Sequence, residues 1–195
     1  MRTRSGDKQG DILKAALSIF AEQGFETAKV SSIAHQARVA TGSVYLYFKG
    51  KDDILDRLFE GFWDKLLTSM QRDLDQADPL QRIEAQLAMF FDALSQDRDF
   101  TQLYLRDFHR FDCRDTERQA SWRACIAIGR LAFREAALCQ MEESDLAFSH
   151  AYVFGGVRAA LEHWVAHPDL PLALVRSRML VMAMSTIRAL ARETA

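Results

Sequence analysis

Proline and glycine are scarce, three and nine in 195 residues, which argues against a turn-rich all-β fold and for helices. No run approaches the roughly 18 uninterrupted apolar residues that suggest a membrane span. The polar start MRTRSGDKQGD also lacks the apolar stretch of a secretory signal. A cytoplasmic protein with no membrane partner is therefore expected. Three cysteines, Cys113, Cys125 and Cys139, are an odd number at spacings that fit neither a zinc ribbon nor a CxxC pair, so a disulfide framework is excluded and plain thiols are expected. The chain also lacks a phosphate-cradling glycine loop, a paired-carboxylate motif and a nucleophile–base pairing, so no catalytic residue and no cofactor are assigned. His163 and His167 stand one helical turn apart, a spacing metals use. Pro168 ends that helix, and histidines near a helix C-terminus commonly complement its dipole, so no metal is assigned either.

What remains is ordinary globular composition, 49% hydrophobic and 27% charged, with an uneven distribution of charge. Residues 1–51 carry 8 Lys/Arg against 4 Asp/Glu, and the remainder 17 against 23. The first quarter is thus the candidate for an anionic partner. Apolar residues at helical spacing, Ile12, Leu13, Ala16, Leu17 and Phe20, predict a first helix that Gly24 stops. Short helices follow at about Val30–Ala37 and Thr41–Phe48, and a long amphipathic one runs from Lys51 to before Pro79. Five more are read near 80–95, 99–110, 115–140, 144–166 and 171–192. The expectation is an all-α chain of about nine helices with no strand.

The stretch VATGSVYLYFKGK, residues 39–51, carries the most chemistry. On a helix from Thr41 to Phe48, Val44 and Phe48 anchor the inner side, while Thr41, Ser43, Tyr45 and Tyr47 form an outward row of hydroxyls. Gly42 lets another backbone come close. Hydroxyls suit phosphate oxygens, Lys51 adds a cation, and Lys29 lies near the start of the preceding helix. Two short helices joined by a tight turn, the second polar and flanked by basic groups, fit a helix-turn-helix that presents a recognition helix to a major groove.

The segment ILKAALSIFAEQGFETAKVSSIAHQARVATGSVYLYFKGKDDILDRLFE resembles the DNA-binding domain of the tetracycline-repressor (TetR) family, including the GF after helix one, the IA of helix two and the YxYFKxK exit. The resemblance implies a homodimeric regulator, usually a repressor, that binds double-stranded operator DNA. It also implies a C-terminal domain that takes a small inducer and last helices that pair between subunits. The expected division is 1–51 for the helix-turn-helix domain and 52–195 for ligand binding and dimerisation. Two residues depart from the family pattern. Arg38 replaces the usual glycine of the turn, costing on the order of 1 kcal/mol if the left-handed conformation is kept and offering a phosphate contact. Ala40 replaces the usual capping serine, a loss of roughly 1 kcal/mol.

Bulky apolar groups crowd the segment from Trp63 to Trp122, as a core or a mostly apolar ligand cavity would require. The resemblance implies such a cavity between helices four and eight, with Trp63, Leu67, Phe90, Leu103, Phe108, Trp122, Ile126 and Tyr152 as candidates. Arg106, His109, Arg110, Arg114 and Arg118 could receive an anionic group or simply form a solvated face. In the 144–166 helix, Leu146, His150, Val153, Val157, Leu161 and Trp164 form a stripe beside Ala151, Gly155, Gly156 and Ala159. With Met179 and Met182 of the final helix, Val153, Val157 and Trp164 are the candidates for an intersubunit bundle. A thiol-reactive sensor on the same fold and a helical-bundle enzyme or metal protein are the competing readings.

Overall fold

The computed structural model describes residues 7–72, 78–112, 117–136 and 142–193. Among them are nine α-helices and no strand: α1 (Lys8–Gln23), α2 (Val30–Gln36), α3 (Thr41–Val44), α4 (Lys51–Arg72), α5 (Pro79–Ser95), α6 (Arg98–Asp112), α7 (Ala120–Glu135), α8 (Glu143–Ala166) and α9 (Leu172–Glu193). No described helix is long and apolar enough to cross a membrane.

Local chemistry sets the helix ends. Asp7 caps α1 by accepting from the Gly10 N–H at 3.0 Å. Gly24 ends it at φ 85°, a conformation glycine adopts without strain, and donates its N–H to the Phe20 carbonyl. Asp78 caps α5, whose first residue is Pro79, where a missing N–H leaves no helix bond unmade. The helix expected over 115–140 is α7, entered through a 3₁₀ turn at Glu117–Gln119. Residues 115–116 and 137–140 of that reading lie outside the described residues. The helix expected over Thr41–Phe48 is shorter. Beyond Val44 the bonds tighten to i→i+3, with Leu46 donating to Ser43 and Tyr47 to Val44, so α3 passes into a turn that carries Phe48 inward.

The chain packs as two compact units, Met1–Phe62 with Asp97–Gln119, and Trp63–Gln96 with Ala120–Ala195. By packing, α6 joins the helix-turn-helix segment in the first. Phe59 stands at the centre of that unit, its ring 5.4–5.7 Å from those of Phe100, Phe108 and Phe111. Around it Phe20, Ile33, Val44, Phe48, Ile54 and Leu55 are fully buried, each such side chain worth about 1.5–3 kcal/mol of removal from water. The second unit buries Ile83, Leu87, Phe91, Phe133, Val157, Leu161 and Ile187 among α5, α7, α8 and α9. A two-pronged Arg176–Asp92 pair at 2.7 and 2.8 Å ties α9 to α5, and Arg82–Glu135 ties α5 to α7.

Candidate nucleic-acid interface

The turn between α2 and α3 holds Arg38 at φ 58°, the one non-glycine residue in the left-handed region among those described. Its N–H bonds to the His35 carbonyl at 3.1 Å and the Val39 N–H to the Ala34 carbonyl at 3.0 Å. These two bonds make a Schellman cap, and they offset the roughly 1–2 kcal/mol that a Cβ costs in this conformation. The guanidinium is left exposed at the mouth of the turn. Ala40 occupies the N-cap of α3 with no side-chain bond, as its methyl dictates. Val44 and Phe48 point inward and are buried, so α3 is anchored by the predicted pair.

The outward side follows from that anchoring. Thr41 and Gly42 are exposed and Ser43 is half-buried. Tyr45 is 57% and Tyr47 42% exposed, so neither ring is packed away in the core. Leu46 between them is 81% exposed. Sequence reasoning had no place for Leu46, since it belongs neither to the anchoring pair nor to the hydroxyl row; its wrong-side position in an otherwise well-phased helix was the available signal. Lys29 is exposed at the N-cap of α2.

Lys51, expected to add a cation for phosphate, is engaged within the fold. Its ammonium donates to the carbonyls of Phe25 and Glu26 at 2.9 and 2.8 Å and lies 4.7 Å from the Phe25 ring centre. It pins the start of α4 to the α1–α2 turn. Arg110 reaches the same turn from α6, 2.5 Å from the Glu26 carboxylate and 5.1 Å from the Phe25 ring centre. Arg106 donates to the Phe20 and Ala21 carbonyls, satisfying the C-terminal end of α1. Arg118 pairs with Asp53 at 2.7 Å and Glu60 at 3.3 Å. Arg106, Arg110 and Arg118, weighed as receivers of an anionic ligand, are thus engaged inside the first unit; His109 is exposed, and Arg114 lies outside the described residues.

Residues 12–58 match the model for bacterial regulatory proteins of the tetR family. The chain is 30% identical over 172 residues to the HTH-type transcriptional regulator HbdR of Aromatoleum sp. (strain CIB), covering 81% of this chain and 71% of that protein. The chain belongs to the tetR family. The fatty acid metabolism regulator protein of Bacillus subtilis (strain 168) is 37% identical over 103 residues, 51% of this tetR-family chain. The match spans about half of that relative, 53% of its length. The fold agrees with the crystal structure of the transcriptional regulator FadR from Bacillus subtilis in complex with stearoyl-CoA, at TM-score 0.74 and 24% identity over 90% of this chain and 97% of that one.

In this tetR-family protein the eight ligand candidates divide between the units. Leu103 and Phe108 belong to the core of the first, Leu103 fully buried and Phe108 against Phe59. In the second, Trp63 is buried and stacks on Phe90 at 5.7 Å, and Leu67, Trp122 and Ile126 are half-buried. Tyr152 leaves the interior altogether: it is exposed on α8 and stacks on exposed Phe148. Phe154, not foreseen, takes the inward position, 5.9 Å from Phe90 and 4.5 Å from the His150 ring. His150 is buried, and its Nε2 has no hydrogen-bond partner among the described residues. Burial, aided by the charge of Arg130, lowers its pKa to about 4, so the ring is neutral.

Cys125 is buried, with its thiol 3.9 Å from the Trp63 carbonyl, and burial pushes its pKa to about 12. A thiol so placed forms little nucleophilic thiolate, against the sensor reading; Cys113 and Cys139 lie outside the described residues. The rings of His163 and His167 are 4.2 Å apart, with His167 Nδ1 bonded to the His163 carbonyl, and no third metal-ligating group joins them among the described residues.

The dimerisation candidates also separate. Val153, Val157 and Met179 are buried in the chain's own core, Trp164 is half-buried, and only Met182 is exposed, at 64%. The neighbouring face of α8 is the outer one. There Tyr152, Gly155, Gly156 and Ala159, with Met182 and Thr186 of α9, line an open groove of about 780 Å³. A periodic stripe alone leaves the choice between two adjacent faces open. Packing decides which side is covered: Val157 and Leu161 are fully buried, Gly155, Gly156 and Ala159 are exposed, and Val153 and Met179, though buried, still line the groove.

Proposed function

We propose that this chain is a homodimeric transcriptional repressor, cytoplasmic, that binds a palindromic operator in double-stranded DNA and leaves it when a small, mostly apolar ligand binds. The observation that carries the reading is the outward row of exposed Thr41, Gly42, Tyr45 and Tyr47 with half-buried Ser43 on an anchored helix-turn-helix, beside the exposed Arg38 and Lys29. Hydroxyl and basic groups bind phosphates and a bare glycine admits a base edge, so the row positions the helix while Thr41 and Ser43 read bases. Two such helices in one dimer meet half-sites about 34–36 Å apart, or a multiple of that.

Pairing through α8 and α9 is supported by Gly155 and Gly156. Interior helical glycines are unfavourable by about 1 kcal/mol each, and no heavy atom within 4 Å of either would meet a Cβ, so nothing in the chain itself requires them. Close approach of a second copy does. The ligand class is supported by the aromatic interior around Trp63, Phe90 and Phe154 and by relatives concerned with fatty acid metabolism. A long acyl chain is therefore the first candidate, and α4, continuous from Lys51 to Arg72, is the element through which it would act.

Selection from a randomised duplex pool with the full chain tests the reading. A palindrome should be enriched, and Thr41→Ala and Tyr47→Ala should bind it at least about tenfold more weakly while keeping the wild-type circular dichroism. Stearoyl-CoA should release the labelled duplex in fluorescence anisotropy. An unenriched pool overturns the DNA reading. Enrichment without release overturns only the acyl ligand.

A further inference from the structure

Leu46 is the most exposed large apolar side chain among the described residues, at 81%, and it projects from the segment that carries the recognition row. It is one helical turn from Gly42, whose missing side chain leaves open space with no heavy atom within 4 Å of a Cβ position. A leucine makes no hydrogen bond to a phosphate or a base edge, and a lone exposed leucine is otherwise ordinary. Here it stands between two exposed tyrosines, in the segment of residues 1–51 that carries 8 Lys/Arg against 4 Asp/Glu. In a major groove the base-edge feature that an alkyl group can recognise is the C5-methyl of thymine. We infer that Leu46 is a specificity-determining residue that reads a thymine methyl in each half-site. The inference rests on the DNA-binding reading above and goes further, in assigning to one side chain the one base it selects.

The geometry divides the work on α3. Val44 and Phe48 hold the segment down, Tyr45 and Tyr47 flank Leu46 just past the end of α3 with hydroxyls suited to phosphate, and Leu46 projects into solvent between them, where it is free to meet a base edge. Burying one methyl against leucine changes affinity about 4-fold, and about 15-fold when both half-sites of a palindrome are altered.

The probe is the palindrome that the wild-type protein enriches from a randomised pool, resynthesised with deoxyuridine in place of thymidine at one symmetric pair of positions at a time. That replacement removes the methyl and leaves every hydrogen-bonding edge intact. At one pair the wild-type protein should bind about 15-fold more weakly, and Leu46→Ala should bind the thymidine and deoxyuridine duplexes alike, at the weaker level. Leu46 is exposed, so the variant folds as wild type does, which circular dichroism checks. Tyr47→Phe, which keeps the leucine, should retain the deoxyuridine response. The inference is overturned if the wild-type protein is indifferent to every replacement, if the half-site contains no thymine, or if Leu46→Ala responds to deoxyuridine as wild type does. A pool that yields no enriched duplex overturns the DNA-binding reading itself.

Discussion

Replacing Gly155 and Gly156 together by alanine separates the stability of the chain from its pairing. Both sit inside α8, and neither added methyl meets an atom of the same chain within 4 Å. Alanine is better than glycine in a helix interior by about 1 kcal/mol per site, so the isolated chain gains about 2 kcal/mol. For a protein of this size that raises Tm by about 4–8 °C. A dimer whose partner backbone lies over these glycines responds oppositely. Two extra methyls per copy enter space the partner needs, and overpacking costs about 1–3 kcal/mol at each contact. The dimer dissociation constant should then rise at least about tenfold. Thermal unfolding followed over a range of protein concentrations reports both quantities, because pairing makes Tm depend on concentration, and sedimentation equilibrium gives the dissociation constant directly. A higher Tm with an unchanged dissociation constant would show that no second chain comes close to this face. A lower Tm where only monomer is present would show that the space beside α8 is filled.

Met182→Glu should dissociate the dimer yet leave a folded monomer, whereas Val157→Glu, which puts a charge into the chain's own core, should unfold it; similar circular dichroism for the two would contradict the assignment of faces. Arg38→Gly removes about 1–2 kcal/mol of backbone strain and loses about 0.4–1 kcal/mol through a freer unfolded chain. Urea denaturation should therefore show equal or slightly greater stability while operator affinity falls; unchanged affinity would remove Arg38 from the interface. His150 is neutral in the fold, its pKa lowered from 6.5 to about 4, so its contribution is fully present above pH 6.5 and is lost as pH falls toward about 4. That amounts to about 3 kcal/mol. His150→Phe should flatten the dependence over that range, and an unchanged slope in urea titrations would show that other groups govern it.

The helix-turn-helix was legible because its constraints are local. Gly24, the buried Ile33, Val44 and Phe48, and the left-handed Arg38 turn all follow from residues within a few positions of one another. The bonds of Lys51 to the carbonyls of Phe25 and Glu26 are not legible in the sequence, because those partners are 26 and 25 residues away and carry no side-chain signature. Val153 and Val157 belong to a stripe that adjoins the outer face of α8, and only packing against α5, α7 and α9 decides how far each is covered: both are buried, yet Val153 still lines the outer groove. Tyr152 and Phe154 exchanged roles for the same reason. Leu46 was passed over because outward leucines are common and carry meaning only when their neighbours are known to face outward as well.

The clamp on the α1–α2 turn bears on how such a chain can be recombined. Helices α1–α3 are contiguous in sequence and look transplantable, but Phe25 and Glu26 are gripped from outside that stretch by Lys51 and Arg110, and the carbonyls of Phe20 and Ala21 by Arg106. A chimera that takes only residues 1–51 from another protein would set a foreign turn against native α6 and leave two arginines facing carbonyls and a carboxylate in altered places. The transferable piece is discontinuous, residues 1–62 with 97–119. Exchange of operator preference between two proteins of this build therefore has to proceed either by replacing single residues on the exposed side of α3 or by moving both segments at once.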